Sequence, residues 1–142
     1  MVISKNFRLK EFTASETADR LGIDNTKVPD FAKNNIKELV YQILQPLRDA
    51  TGKPIIINSG YRCLKLNSAV GGVPTSQHVQ GQAVDIQIKK MTPYQIAQVV
   101  LDLYLPFDQM ILYNDFVHIS IGTRDRRQLL YNKNYEGKKF DY

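Results

Sequence analysis

The 142-residue chain has a single cysteine, Cys63, and only two histidines. One cysteine excludes an intramolecular disulfide and any thiolate zinc cluster. Cys63 reads as a small, partly buried residue. No stretch is apolar for long enough to span a bilayer, so no transmembrane segment is expected. The opening "MVISKNFRLKEF" carries charge where a secretion signal needs an apolar centre. The expectation is a protein made in the cytoplasm without a signal peptide. The net charge of +5 favours polyanionic surroundings. Its basic residues are scattered, however, and densest in "TRDRRQ" at Thr123 to Gln128. With no basic helical stripe and no recognisable nucleic-acid motif, nucleic acid is not an expected partner.

What is present suits one globular domain over 1–142, with enough chain for a real core. Thr13 or Ser15 can cap a small helix that Gly22 ends, and Glu16 stands at a capping-box distance from Thr13. Pro29 opens a longer helix with Phe31, Ile36, Leu39, Val40, Ile43, Leu44 and Leu47 as its apolar stripe. Pro46 should kink or divide that helix. "KPIIINSGYR" reads as a buried strand ending in a turn, and "CLKLNSAVGG" as a short helix. "VPTSQHVQGQ" is a loop and "AVDIQI" a strand. A helix then starts at Thr92 and Pro93. "DQMILY" and "FVHISI" form a hairpin through Asn114 and Asp115, and the polar tail is not assigned. The order favours an α+β fold: a small, mainly antiparallel sheet with helices packed on one side.

Strand parity locates the chemistry. Val84, Ile86 and Ile88 share one face of their strand, which leaves Asp85 and Gln87 on the other. Val117, Ile119 and Ile121 likewise oppose Phe116, His118 and Ser120. If the two strands are neighbours, Asp85 and His118 converge, and His78 can close over them from the preceding loop. Two imidazoles and a carboxylate form a common catalytic zinc set that leaves one position for water. Such a site makes hydroxide available near neutrality. Ligand type alone does not distinguish zinc from copper or iron. The competing reading is structural: a strand aspartate as an exposed charge, and histidines as polar core.

Taken together, "SGYR" at Ser59 to Arg62, "LNSAVGG" at Leu66 to Gly72, "SQHVQGQAVD" at Ser76 to Asp85 and "FDQMI…VHIS" through Ser120 resemble the zinc D-Ala-D-Ala peptidase family. That family includes dipeptidases, carboxypeptidases and phage L-alanyl-D-glutamate endopeptidases, and hedgehog domains share its fold. The resemblance runs from "FRLKEFTASETA" to about Ile121. It implies His78, Asp85 and His118 as Zn2+ ligands, and Asp115, three residues before His118, as general base. It also implies that Arg62 points at the substrate and that Ser76 and Gln77 donate to its backbone; Asp108 and Gln109 match a family position, and the alternative for them is support of the sheet alone. The implied substrate is a peptidoglycan stem peptide, cut as a D-Ala-D-Ala carboxypeptidase or an L-Ala-D-Glu endopeptidase would cut it. A phage or prophage lysis enzyme released by holin-type export fits the missing signal. The rival readings are a non-catalytic, metal-containing wall-binding module of the same fold and a phage structural protein.

Overall fold

A computed structural model describes residues 1–122 and 124–141; Thr123, the first residue of the basic cluster, lies outside them. The elements run β1 (Val2–Ser4), β2 (Phe7–Arg8), α1 (Leu9–Thr13), α2 (Glu16–Leu21), α3 (Asp30–Leu39), a π-helical turn (Val40–Leu44), α4 (Gln45–Thr51), β3 (Ile55–Ser59), α5 (Leu64–Ala69), β4 (Ala83–Ile88), α6 (Pro93–Asp102), β5 (Gln109–Leu112), β6 (Val117–Ser120) and β7 (Gln128–Tyr131). β1 and β2 form a small ribbon, and the main sheet has the order β3-β4-β6-β5-β7. Every pairing in it is antiparallel except β5 with β7. The α+β class and the mainly antiparallel sheet match the expectation from sequence.

The apolar face of the sheet builds the core. Val84, Ile86, Val117 and Ile119 are fully buried with Ile36, Leu39, Ile43, Leu44 and Leu47 of the α3–α4 run and Ile96 and Val100 of α6. Phe31 does not join this stripe and is 52% exposed, whereas Ala32 is buried. Helical spacing gives the reason. At 3.6 residues per turn, Ala32 lies about 40° from Ile36 around the helix, but Phe31 lies about 140° away.

Pro46 divides the long helix, as its missing N–H requires. The division takes the form of a π turn: Gln45 N–H donates to the Val40 carbonyl, one residue further back than in an α-helix. Of the two candidate caps for α2, Ser15 takes the role, its Oγ accepting from Ala18 N–H at 3.1 Å. The Thr13 hydroxyl turns back to the Lys10 carbonyl, so the Thr13–Glu16 box does not form. Thr92 and Gln95 make the reciprocal capping box of α6, with Pro93 in its first turn. Asn114 and Asp115 turn the β5–β6 hairpin, closed by Tyr113 N–H to the Phe116 carbonyl at 3.0 Å.

Candidate functional site

The face of the sheet opposite the core carries the polar side chains. Asp85 of β4 and His118 of β6 are direct cross-strand partners. Adjacent antiparallel strands hold such opposed side chains close together, and His118 Nδ1 lies 2.9 Å from Asp85 Oδ1. Burial holds this pairing, because a one-residue slip of either strand would turn that strand's apolar set out of the core.

His78 comes from the loop before β4, which is wound into tight turns: Val79 N–H to Ser76 O, Gly81 N–H to His78 O and Gln82 N–H to Gln77 O. Gly81 has φ +74°, and a Cβ there would fall 2.5 Å from the Ala32 carbonyl, so only glycine lets the loop press on α3. Asn35 of α3 donates to Gln80 O at 2.8 Å and fastens the same loop. The His78 ring is 3% exposed. Its Nδ1 lies 2.7 Å from the Gly60 carbonyl and its Nε2 3.4 Å from Asp85 Oδ1. A carbonyl can only accept, so Nδ1 carries the proton and Nε2 is turned toward Asp85. Gly60 is itself pinned, since a Cβ would meet the Phe12 carbonyl at 2.7 Å.

One donor atom from each of His78, Asp85 and His118 lies within 4.8 Å of the other two. With bonds of about 2.0–2.1 Å, two donors on a tetrahedral zinc stand about 3.3–3.4 Å apart. The His78–Asp85 separation of 3.4 Å has that length already. The 2.9 Å His118–Asp85 contact needs only a few tenths of an ångström of opening. Burial pushes the Asp85 carboxyl up, but hydrogen bonds to His118 and His78 outweigh it and hold the group well below the usual carboxylate range. The set is one anionic oxygen and two nitrogens, with the His78 ring oriented by a backbone carbonyl, and it fits zinc.

Arg62 lies beside this cluster. Its backbone N–H donates to the His78 carbonyl at 3.2 Å, which joins the "SGYR" turn to the histidine loop. The guanidinium donates to Ser59 Oγ at 3.4 Å and to Asn67 Oδ1 at 3.1 Å. Burial lowers its pKa, with the charge of Asp85 opposing, and an arginine remains charged under such a shift. Arg62 and Asp85 both line a cleft of about 330 Å³, together with Ser15, Glu16, Ser59 and Val70. A larger depression of about 600 Å³ beside the π turn shares no lining residue with it. Here donor chemistry marks the site and size does not.

The other sequence candidates sit differently. Ser76 Oγ accepts from His78 N–H at 3.2 Å within its own turn. Gln77 gives its amide nitrogen to Asp108 Oδ2 at 2.9 Å and to the Ile121 carbonyl at 3.0 Å, so its two side-chain protons are engaged inside the protein. Asp115 is exposed in the β5–β6 turn. Its backbone carbonyl accepts from Gln87 Nε2 at 2.8 Å, and its carboxylate stands outside the group of three converging donors.

Two residues that sequence reading passed over also belong to the neighbourhood. Asn67 is 2% exposed and carries the Arg62 contact. A buried asparagine within "LNSAVGG" was the available signal, but a short polar helix offers no parity with which to read it. Tyr113 stacks on Phe116 with centroids 4.2 Å apart. Burial, then the Asp85 charge, raise its phenol above the ordinary value, with Arg62 opposing. Its place on the site face follows from Ile111 pairing with His118, and continued alternation along β5 would have found it.

The family model described as Peptidase M15 matches residues 5–120, a span that holds Arg62, His78, Asp85, Asp115 and His118. A zinc D-Ala-D-Ala carboxypeptidase of Streptomyces albus G is 48% identical over 44 residues, which make up 30% of this chain and 17% of that protein. The match therefore covers less than a fifth of that relative's length. Both findings agree with the resemblance read from the motifs.

Proposed function

The chain belongs to the Peptidase M15 family, and from that premise we propose that it is a zinc-dependent peptidase hydrolysing an amide bond in peptidoglycan stem peptides. The observation that carries this reading is the convergence of His78 Nε2, Asp85 Oδ1 and His118 Nδ1 at the edge of a cleft that Asp85 and Arg62 both line. The core cluster running from Phe7 to Tyr135 supports treating the chain as a single peptidase domain.

His78, Asp85 and His118 would hold the zinc, which when bound polarises a carbonyl and makes hydroxide available near neutrality. The remaining roles fall to the chain. Arg62 binds a substrate carboxylate through its paired N–H groups, or shares the negative charge that develops on the scissile oxygen. Asp115 takes a proton from the attacking water and returns it to the leaving amine. Its place three residues before His118, in a turn that Gln87 ties to the site-facing side of β4, supports that role. Ser76 lies at the mouth of the histidine loop as a contact for substrate backbone. Which bond is cut, D-Ala-D-Ala or L-Ala-D-Glu, belongs to the proposal, as does service as a phage or prophage lysis enzyme reaching the wall by holin-type export. No helix among the described residues is long and apolar enough to cross a membrane.

The test is mass spectrometry of muropeptides after incubating purified peptidoglycan with the protein, with and without a zinc chelator. Loss of terminal D-Ala identifies a carboxypeptidase. A new D-Glu amino terminus identifies an endopeptidase. Stoichiometric zinc with an unchanged muropeptide profile would replace the reading with the non-catalytic, wall-binding one.

A further inference from the structure

We propose that Arg126 is a positioning residue for the metal site: acting through Asp108 and Gln77, it holds the His78 loop and so sets how tightly the chain retains a divalent cation. The inference rests on the assignment of His78, Asp85 and His118 as ligands made above.

The link is continuous. Arg126 grips Asp108 with a fork, Nε to Oδ1 at 2.6 Å and NH2 to Oδ2 at 2.9 Å. Exposed ion pairs contribute little, but bidentate pairs on a buried acid are the strong kind. Here the Asp108 side chain is only 5% exposed while that of Arg126 is 45% exposed. Asp108 is set in place by its backbone, with its N–H donating to Ser120 O and its carbonyl accepting from Gln128 N–H. The same Oδ2 that receives Arg126 also receives Gln77 Nε2 at 2.9 Å. Both partners of that nitrogen, Asp108 Oδ2 and Ile121 O, are acceptors, which fixes the orientation of the amide.

Gln77 immediately precedes His78, and its carbonyl receives the N–H groups of Gln80 and Gln82. To fix Gln77 is to fix the entry of the histidine loop. His78 is thus held from two flanks: its ring and carbonyl meet Gly60 and Arg62 on one side, and its neighbour meets Asp108 on the other. Gln77 belongs to no strand, so sheet architecture gives no reason for its side chain to reach Asp108. Arg126 itself lies beyond the residues matched to the family. Partners that orient ligands in this indirect way commonly govern metal affinity.

The experiment is zinc and cobalt(II) titration of the chelator-stripped full chain against a competing chromophoric chelator, for wild type, Gln77→Met, Arg126→Ala, Arg126→Lys and the Gln77→Met/Arg126→Ala double variant. Each of Gln77→Met and Arg126→Ala should raise the zinc Kd about 10–100-fold. The double variant should lose no more than the worse single one, because both cut the same chain. Arg126→Lys should recover part of the loss. The cobalt visible bands of Gln77→Met should change while its metal-free melting temperature stays near wild type, a pairing that a merely structural role would not give. A wild-type Kd in either single variant, or losses that multiply in the double variant, would overturn the proposal. Should Arg126→Ala fail to fold, Arg126→Lys decides, since an ammonium keeps the charge but loses the fork on Asp108: a raised Kd supports the role of Arg126 and a wild-type Kd overturns it. A wild-type chain that binds neither metal overturns this inference together with the proposed function. One that binds zinc and leaves peptidoglycan uncut overturns the catalytic reading alone, and the Kd comparison still decides the role of Arg126.

Discussion

The Arg62 guanidinium rests on Asn67 Oδ1 at 3.1 Å, and Asn67 passes its own amide nitrogen to the Val73 carbonyl at 2.8 Å. Asn67→Ala should therefore loosen Arg62, leaving it only the Ser59 contact, without touching the proposed ligands. A hydrogen bond to a charged group contributes about 1.5–3 kcal/mol, so kcat/KM on a stem-peptide substrate should fall about 10–100-fold. Zinc content, measured by atomic emission, should remain at one per chain. Arg62→Lys should not restore full activity, because an ammonium cannot reproduce the fork.

His78→Ala and His118→Ala should each abolish both metal and activity. Asp115→Ala should keep the metal and lower kcat about 10²–10⁴-fold, the range for loss of a positioned acid–base group. Metal analysis beside steady-state kinetics separates the two classes. Undiminished turnover in Asp115→Ala would move the base role to another residue.

Asp108 gives a pH dependence with a definite sign. Its hydrogen bonds to Arg126 hold its carboxyl below the usual value, against a raising effect of burial. A group depressed in the folded state contributes stability that is complete above the unfolded value of about 3.9 and is lost as pH falls through the folded value. Urea unfolding of the metal-free protein should show wild type more stable than Arg126→Ala at neutral pH, with the gap narrowing below about pH 4. A gap that widened with acid would contradict the sign.

Chelation should lower the melting temperature without unfolding the chain at room temperature. At a free zinc concentration of about 100 times Kd, binding stabilises by about 2.7 kcal/mol, which corresponds to roughly 5–10 °C for a domain near this size. The far-ultraviolet circular dichroism should be unchanged, because Gly60, Asn35 and Asp108 secure the histidine loop without help from the ion.

Much of this site could be read from alternation. Asp85 and His118 stood out because each interrupts a strand whose other face is apolar, and burial fixes the register that makes them neighbours. Periodicity served the α3–α4 run as well, except at Phe31, whose size suggested core while its angle faced solvent. Short-range patterns reached less far. Thr13 and Ser15 both suit a cap, and only the path of the backbone chose Ser15. β7 escaped notice because a four-residue strand pairing in parallel with β5 depends on a distant partner, and such a strand shows no local signature in a polar tail. Gln77 looked like a substrate donor in its motif. Its engagement with Asp108 joins residues 31 positions apart, a relation that spacing along the chain does not encode.

The turn that carries Gly60 leans on Phe12, with Tyr61 N–H bonded to the Phe12 carbonyl at 2.7 Å. The opening helix is therefore a remote buttress for the proposed cation site, although it supplies none of the donors. Trimming the protein to begin after that helix would spare every proposed ligand and should still blunt the grip on a metal ion.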